Sequence, residues 1–373
     1  MYFAMLVALV VMCCVGAGVP GKGKIYDDYM SQERTTSIKG VFAFIIVMSH
    51  MLQYISVSSP LDRFTQTIIV AIGQLMVTMF FFYSGYGINE SCRSKPGYMK
   101  GFFKNRILKT LVHFDIAIAL FVILNGFIGS KYGLQNTLLA FTGWTSIGNS
   151  NWFVFCTLVL YLVTLLACTL LPGNRRAAIA VVLVLTVGLA VLLRMVKEDY
   201  WWYNTLLCYP LGMLWSEARG PIERTMSKRI GVWWAVMLTS LAVFAVSAVI
   251  MVSKLYGYPL ARYFEWMDLQ YFYMLFACLF CFVVVVSQMR LRTHNPILYW
   301  LGINSFSIYI LQRLPMRILA YFKLQKEPLL FIPIALAATL LIAPAFTWLT
   351  GKLDKVLFPK KKKTIKEVAS DEQ

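Results

Sequence analysis

Residues 39–50, KGVFAFIIVMSH, set a lysine and a histidine at the two ends of an otherwise apolar run. On a helix, eleven steps turn through about 1100°, so Lys39 and His50 project within about 20° of one face, roughly 16 Å apart along the axis. Gln53 follows one turn later on nearly the same side. The face carries a cation at one end, able to meet an anion, and a titratable imidazole at the other, able to exchange a proton near neutral pH. A plainer reading makes Lys39 an interface anchor and His50 a hydrogen-bonded packing residue. The cost of placing an imidazole in lipid favours the functional reading for His50.

A second stretch, FFFYSGYGINESCRSK at 80–95, brings Ser84, Gly85 and Gly87, which let backbone or ligand approach closely. Cations follow at Arg93, Lys95, Lys100, Lys104, Arg106 and Lys109. Arg106 and Lys109 are spaced one turn apart at the start of an apolar helix, and a phosphate-rich ligand would suit them. Ordinary flanking charge is the alternative. His113 and Asp115 lie two residues apart, do not share a helical face and form a weaker pair. The eight cysteines suggest no disulfide framework, and C-x-x-C at Cys278 and Cys281 reads as small residues in an apolar helix. No metal site and no phosphate-binding glycine loop is expected.

These residues need helices that live in lipid. Of 373 residues, 59% are hydrophobic and 14% charged, too little polar surface for a soluble protein of this length. Stretches of roughly 20 apolar residues fit a bilayer. They are read at 2–19, 38–57, 65–88, 107–128, 151–171, 177–194, 202–217, 231–253, 269–288, 297–323 and 328–350. The run at 202–217 is short, contains Pro210 and is a candidate re-entrant segment. The expectation is an all-α, polytopic transmembrane helical bundle of 10–11 membrane helices, without a separate soluble domain.

The net charge of +18 is unevenly placed. One alternate set of loops, with the tail 351–373, holds 23 Lys and Arg, and the opposite set holds 6. The positive-inside rule then puts the C-terminus in the cytoplasm and the N-terminus outside. Cations spread over six segments, without an aromatic-interleaved patch, argue against nucleic acid as partner. The tail PKKKKTIK reads as a segment facing membrane phospholipid. Run 2–19 could be a signal peptide, but Lys22 and Lys24 follow it and no positive region precedes it, which favours a retained helix.

In order along the chain, these motifs resemble the acyltransferase-3 family of integral membrane acyltransferases, which includes bacterial O-acetyltransferases of surface glycans. The family begins its core with an Arg, ten residues and a His, matched by Lys39 and His50. FFFYSGYGI is similar to its FFxxSGF motif. Arg106 and Lys109 in FFKNRILK match its R-x-x-R pair. Trp152 and Phe153 in NWFVFCTLVLYL match its WFL motif, and NSFSIYILQ at 304–312 its SxSIYLLH motif. Four positions depart from the pattern: Lys39 and Lys109 replace arginines, Thr157 stands where many members carry Glu, and Gln312 replaces the common His. The resemblance divides the chain into an extra N-terminal helix and loop (1–33), an acyltransferase core (34–350) and a basic cytoplasmic tail (351–373).

The resemblance implies transfer of an acyl group, usually acetyl, from cytoplasmic acyl-CoA to a carbohydrate or glycolipid hydroxyl at or beyond the membrane. Acetyl-CoA would be a co-substrate, with no permanently bound cofactor. His50 would be the general base or an acyl relay, and both roles require the neutral imidazole. Lys39, Arg106 and Lys109 would hold the CoA phosphates, and Ser84 and Gly85 would line the path of the pantetheine arm. Trp152, Tyr309 and Gln312 would meet the sugar. Two rivals use the same residues: a flippase for a glycan or lipid-linked intermediate, and a non-catalytic member of the family.

Overall fold

The computed structural model describes residues 1–197 and 199–359. The lysine-rich tail from Lys360 onward, read above as phospholipid-facing, lies outside the described residues. The chain is helical almost throughout. In order, the helices are α1 (Tyr2–Cys14), α2 (Gln32–Met51), α3 (Pro60–Ile72), α4 (Leu75–Ser94), α5 (Lys109–Ile128), α6 (Leu134–Ala140), α7 (Trp152–Leu170) and α8 (Arg175–Val196). They continue with α9 (Cys208–Lys228), α10 (Ile230–Tyr256), α11 (Leu269–Gln288), α12 (Pro296–Ile303), α13 (Ser305–Leu311), α14 (Arg313–Tyr321) and α15 (Pro328–Leu357). A π-helical turn, Phe103–Leu108, leads into α5. Among the described residues, seven helical runs are long and apolar enough to cross a membrane.

Several apolar runs fold differently from the expectation of one span each. Run 2–19 forms only the 13-residue α1, short of the roughly 20 residues a bilayer needs. Run 65–88 contains a break at Gly73 and Gln74 between α3 and α4. In run 202–217 the α-helix begins only at Cys208 and continues to Lys228. Pro210 sits in its first turn, where a missing N–H costs no hydrogen bond. Run 297–323 is three short helices, α12 to α14. Asn304 ends the first, its side-chain amide donating to the Trp300 carbonyl (2.9 Å). Pro315 lacks the N–H that would bond the Leu311 carbonyl, so the chain turns again at Gln312.

Helix starts follow local chemistry. Ser31 caps α2 by accepting from the Arg34 N–H (3.3 Å), and Asn295 caps α12 by accepting from the Leu298 N–H (2.9 Å), with Pro296 at the first position. Asp268 caps α11 on two N–H groups and also meets Arg194 through both guanidinium nitrogens (2.6 and 3.1 Å). This exposed surface pair contributes little beyond orientation.

α2 carries Glu33, Arg34, Lys39 and His50, too polar to face lipid, and most of it is buried among its neighbours. Two glycine pairs let helices approach backbone to backbone. A Cβ on Gly40 would collide with the Leu298 carbonyl, and one on Gly302 with the Thr36 carbonyl, so α2 and α12 cross in direct contact. Gly85 and Gly212 do the same for α4 and α9, meeting the carbonyls of Tyr209 and Phe82. Gly302→Leu is expected to cost about 2–3 kcal/mol by overpacking this crossing. A thermal-unfolding midpoint in detergent reads it, against Gly188→Ala, where the space is open.

α1 packs on the core. The Tyr2 hydroxyl donates to the Met48 carbonyl (2.7 Å), and the Asn295 amide donates to the carbonyls of Met12 (2.6 Å) and Val15 (3.2 Å). α1 therefore runs from the His50 end of α2 to its Lys39 end.

Candidate active site

The chain's three histidines have distinct surroundings. His294 lies between Ser37 (Nδ1 to Oγ, 2.7 Å) and Glu33 (Nε2 to Oε1, 2.9 Å), tying the segment before α12 to α2. His113 meets Asp354 at 2.9 Å, joining α5 to α15. Both are held by carboxylates. His50 has no carboxylate partner among the described residues and lines a cleft.

That cleft has a volume of about 1770 Å³, its open mouth included. Beside His50 its wall carries Gln53, Trp152, Tyr309 and Arg313. It also carries Trp144, Lys197, Asp199, Trp201 and Trp202. The His50 ring lies 6.4 Å from that of Tyr309, which meets Phe153 edge-on at 5.3 Å. Lys197 donates to the Trp144 carbonyl (3.0 Å), and its ammonium sits over the Trp144 and Trp202 rings at 3.5 and 4.1 Å. Burial there lowers the Lys197 pKa.

Trp152 and Tyr309 both line the cleft. Gln312 does not reach it as a sugar contact. It is fully buried, and its Nε2 donates to the Tyr309 carbonyl (3.2 Å). Its side chain lies near His50. Gln312 Oε1 and His50 Nδ1 are both enclosed, and neither makes a hydrogen bond among the described residues.

A second cleft, of about 1520 Å³, opens around Lys39. Ser84, Gly87, Lys95, Arg106, Thr157 and Tyr161 share its wall. Among the described residues three cations line it, and no Asp or Glu does. Arg106 is carried by the π-helical turn and donates to the Tyr98 hydroxyl (3.0 Å). Ser84 shares a hydrogen bond with the Tyr161 hydroxyl (2.7 Å), and Thr157 donates to the Phe153 carbonyl (2.7 Å).

Two residues expected here lie elsewhere. Gly85 faces α9 and serves the helix crossing, while Gly87, two residues on, borders the cleft. Lys109 pairs with Asp354 on α15 (2.6 Å), in the cluster that also holds His113. The π-helical turn is wider than an α-turn, so three residues no longer return to the same face and Lys109 departs from Arg106. Asp115 does not meet His113.

Between the two clefts lies an apolar chamber of about 390 Å³. Ile46, Val77 and Tyr309 border both the chamber and the His50 cleft. Phe80, Phe153, Ser305 and Phe306 border both the chamber and the Lys39 cleft. A cationic vestibule, an apolar throat and an aromatic cleft with an imidazole thus follow one another along α2. Such a path can hold a polyanion at one end and pass a thin uncharged arm through the middle. An imidazole stands at the other end.

Arg313, Lys95 and Lys197 join the clefts without having been singled out as site residues. Arg313 had a signal, since a cation inside an apolar run is costly. Lys95 and Lys197 had none, because each reads as ordinary loop charge.

No curated protein and no solved structure gives a significant match to the chain. The family model described as "Acyltransferase domain" (Acyl_transf_3) matches residues 36–348, most of the chain and every residue of both clefts except Met30, Gln32 and Thr35. The helices, their lipid-length apolar runs and this match together identify the chain as a multi-pass membrane protein that belongs to the acyltransferase-3 family.

Proposed function

We propose that this protein moves an acyl group, acetyl in the first instance, from cytoplasmic acyl-CoA to a hydroxyl of a cell-surface or exported carbohydrate. The carrying observation is the order of surfaces along α2: a carboxylate-free cationic vestibule, an apolar throat and a cleft holding His50. The positive-inside bias supports the Lys39 end as the cytoplasmic one.

In this reading Lys39, Lys95 and Arg106 receive the CoA phosphates. Ser84 and Gly87 border the entry of the pantetheine arm, and the thioester reaches the His50 side through the throat. The acceptor oxygen attacks the thioester carbonyl while His50 Nε2 takes the hydroxyl proton. The tetrahedral intermediate collapses with cleavage of the C–S bond. The departing CoA sulfur receives the proton from the imidazolium, which returns His50 to its neutral form. In the relay variant Nε2 itself attacks the thioester carbonyl and displaces the CoA thiolate; the acceptor hydroxyl then displaces the imidazole from the acyl group, and its proton passes by way of the imidazole to the thiolate. Trp152 and Tyr309 offer ring faces to the sugar.

Gln312 acts here as a positioning residue. Its Oε1 and His50 Nδ1 are both buried without a hydrogen bond, and pairing them during the reaction would steady the imidazole, so Gln312→Leu is expected to lower kcat roughly 100-fold with little change in the KM for acyl-CoA. Gln312→His, the residue more common in the family, keeps an acceptor and retains most of the rate. Equal losses in the two variants would argue for a purely packing role.

The decisive test is acyl-CoA turnover by the purified protein in lipid nanodiscs, with and without carbohydrate acceptors. Release of free CoA together with acylated sugar supports the proposal. Glycan movement without any thioester cleavage would replace it with the flippase reading.

A further inference from the structure

The His50 cleft holds a cation that a neutral acceptor would not need. Arg313 stands in the cleft wall beside His50. Its Nε donates to Ser150 Oγ (3.1 Å) and its Nη2 to Gln53 Oε1 (2.6 Å). Both partners are neutral. Nη1 has no protein partner and is not enclosed, so it opens to the cleft. Arg34, Arg93, Arg175, Arg194 and Arg219 each pair with a carboxylate. Among the described residues Arg313, like Arg106 and Arg317, pairs with none, and of these three it is the one that lines the His50 cleft, at the start of a helix inside an apolar run. A guanidinium at such a place is costly unless a ligand or partner answers its charge.

The surroundings narrow the ligand. Lys197, the other cation of the cleft wall, is already engaged by the Trp144 carbonyl and two indole faces. Asp199 is the lone acid of that wall among the described residues. Gln53 and Ser150 hold two sides of the Arg313 fork, which fixes the direction of the remaining side. A fixed planar fork suits an oxyanion better than a hydroxyl. Trp152, Trp201 and Tyr309 supply ring faces in the same cleft.

Building on the acyl-transfer reading, we propose that the acceptor is an anionic carbohydrate whose carboxylate or phosphate oxygen binds Arg313. That contact sets which hydroxyl meets His50. A uronic-acid carboxylate and a sugar phosphate share this chemistry.

The test compares three small acceptors on the full-length protein in nanodiscs: methyl glucuronide, glucose 1-phosphate and methyl glucoside. Tryptophan fluorescence reads binding, and mass spectrometry of acetyl transfer reads kcat/KM. One or both anions are expected to bind about tenfold more tightly than methyl glucoside, with the same preference in kcat/KM. The anion preferred identifies the carboxylate or the phosphate as the recognised group. Arg313→Gln is expected to bring the ratio of anionic to neutral acceptor close to one, and Arg313→Lys to keep part of it. Equal affinities of the unmodified protein for all three acceptors would overturn the proposal, whether or not the variants fold. So would an Arg313→Gln protein that loses kcat equally for neutral and anionic acceptors, since Arg313 would then serve the reaction rather than the choice of acceptor. Anion-selective binding without any acetyl transfer would leave this inference standing and remove the acyl-transfer reading.

Discussion

His50→Ala is expected to lower acyl transfer by about a thousandfold while the protein still binds acyl-CoA at the opposite cleft. General-base assistance contributes about 10²–10⁴ in rate, and among the described residues His50 is the sole imidazole lining the acceptor cleft. His113 and His294 are committed to Asp354 and Glu33, and the nearest amide, Gln312, cannot take a proton. Free-CoA release under saturating acetyl-CoA measures kcat, and equilibrium binding of a non-hydrolysable acyl-CoA analogue measures the donor site. A loss of donor binding equal to the loss of rate would mean that His50 holds the helices together instead of acting on the substrate. His50→Gln, close in size, separates packing from proton transfer, since it should fail as fully as alanine. Rapid acid-free quenching without acceptor, followed by peptide mass spectrometry, distinguishes the two chemical routes. An acyl adduct on the α2 peptide supports the relay, and CoA release strictly dependent on acceptor supports direct attack.

The second large effect concerns the donor. Lys39→Ala should raise the KM for acyl-CoA between about tenfold and a hundredfold, the range expected for losing one charge-assisted contact of 1.5–3 kcal/mol. Its effect on kcat should be smaller, because the lost contact lies roughly 16 Å from the imidazole along α2 and acts on the bound and reacting states alike. Arg106→Gln should act in the same sense, and the double variant should exceed either single one. Lys39→Arg restores the residue more usual in the family and should lower the KM, since a guanidinium can meet a phosphate through two parallel N–H bonds. An unchanged KM in Lys39→Ala would remove the phosphate role and leave Lys39 an interface anchor. Raised salt should weaken donor binding in the unmodified protein more than in the variant.

Much of this was legible in the linear chain. Lys39 and His50 could be placed on one face because α2 is a single uninterrupted helix, and helical geometry is local. Bilayer residence followed from composition, since lipid tolerates few polar groups whatever the fold. Ser84 and Arg106 could be nominated from their motifs, although what they share is a cleft built by helices far apart in sequence. Gly85 illustrates where such reading stops. It and Gly87 carry the same residue type two positions apart, which turns them to opposite sides of α4. Which side met α9 and which met the cleft depended on where α9 packed.

The apolar runs near the C-terminus carry the same lesson. The stretch 297–323 looked like one span because hydropathy counts residues without regard to direction. Its breaks at Asn304 and Gln312 turn α13 so that Tyr309 reaches the throat, and they bury Gln312 beside His50. The pairing of Lys109 with Asp354 was equally hidden, since it joins residues 109 and 354 across two helices and depends on the π-helical turn before α5.

By itself, then, the sequence determined the helical membrane class, the single face shared by Lys39 and His50, and the family motifs, all of which depend on spacing within one element or on bulk composition. The tertiary structure alone decided that the cations gather in one vestibule, that an apolar throat leads from it to His50, and that Gln312 and Arg313 flank the imidazole. Those are contacts between helices, and the energy that selects them comes from close packing of surfaces that no short stretch of sequence contains.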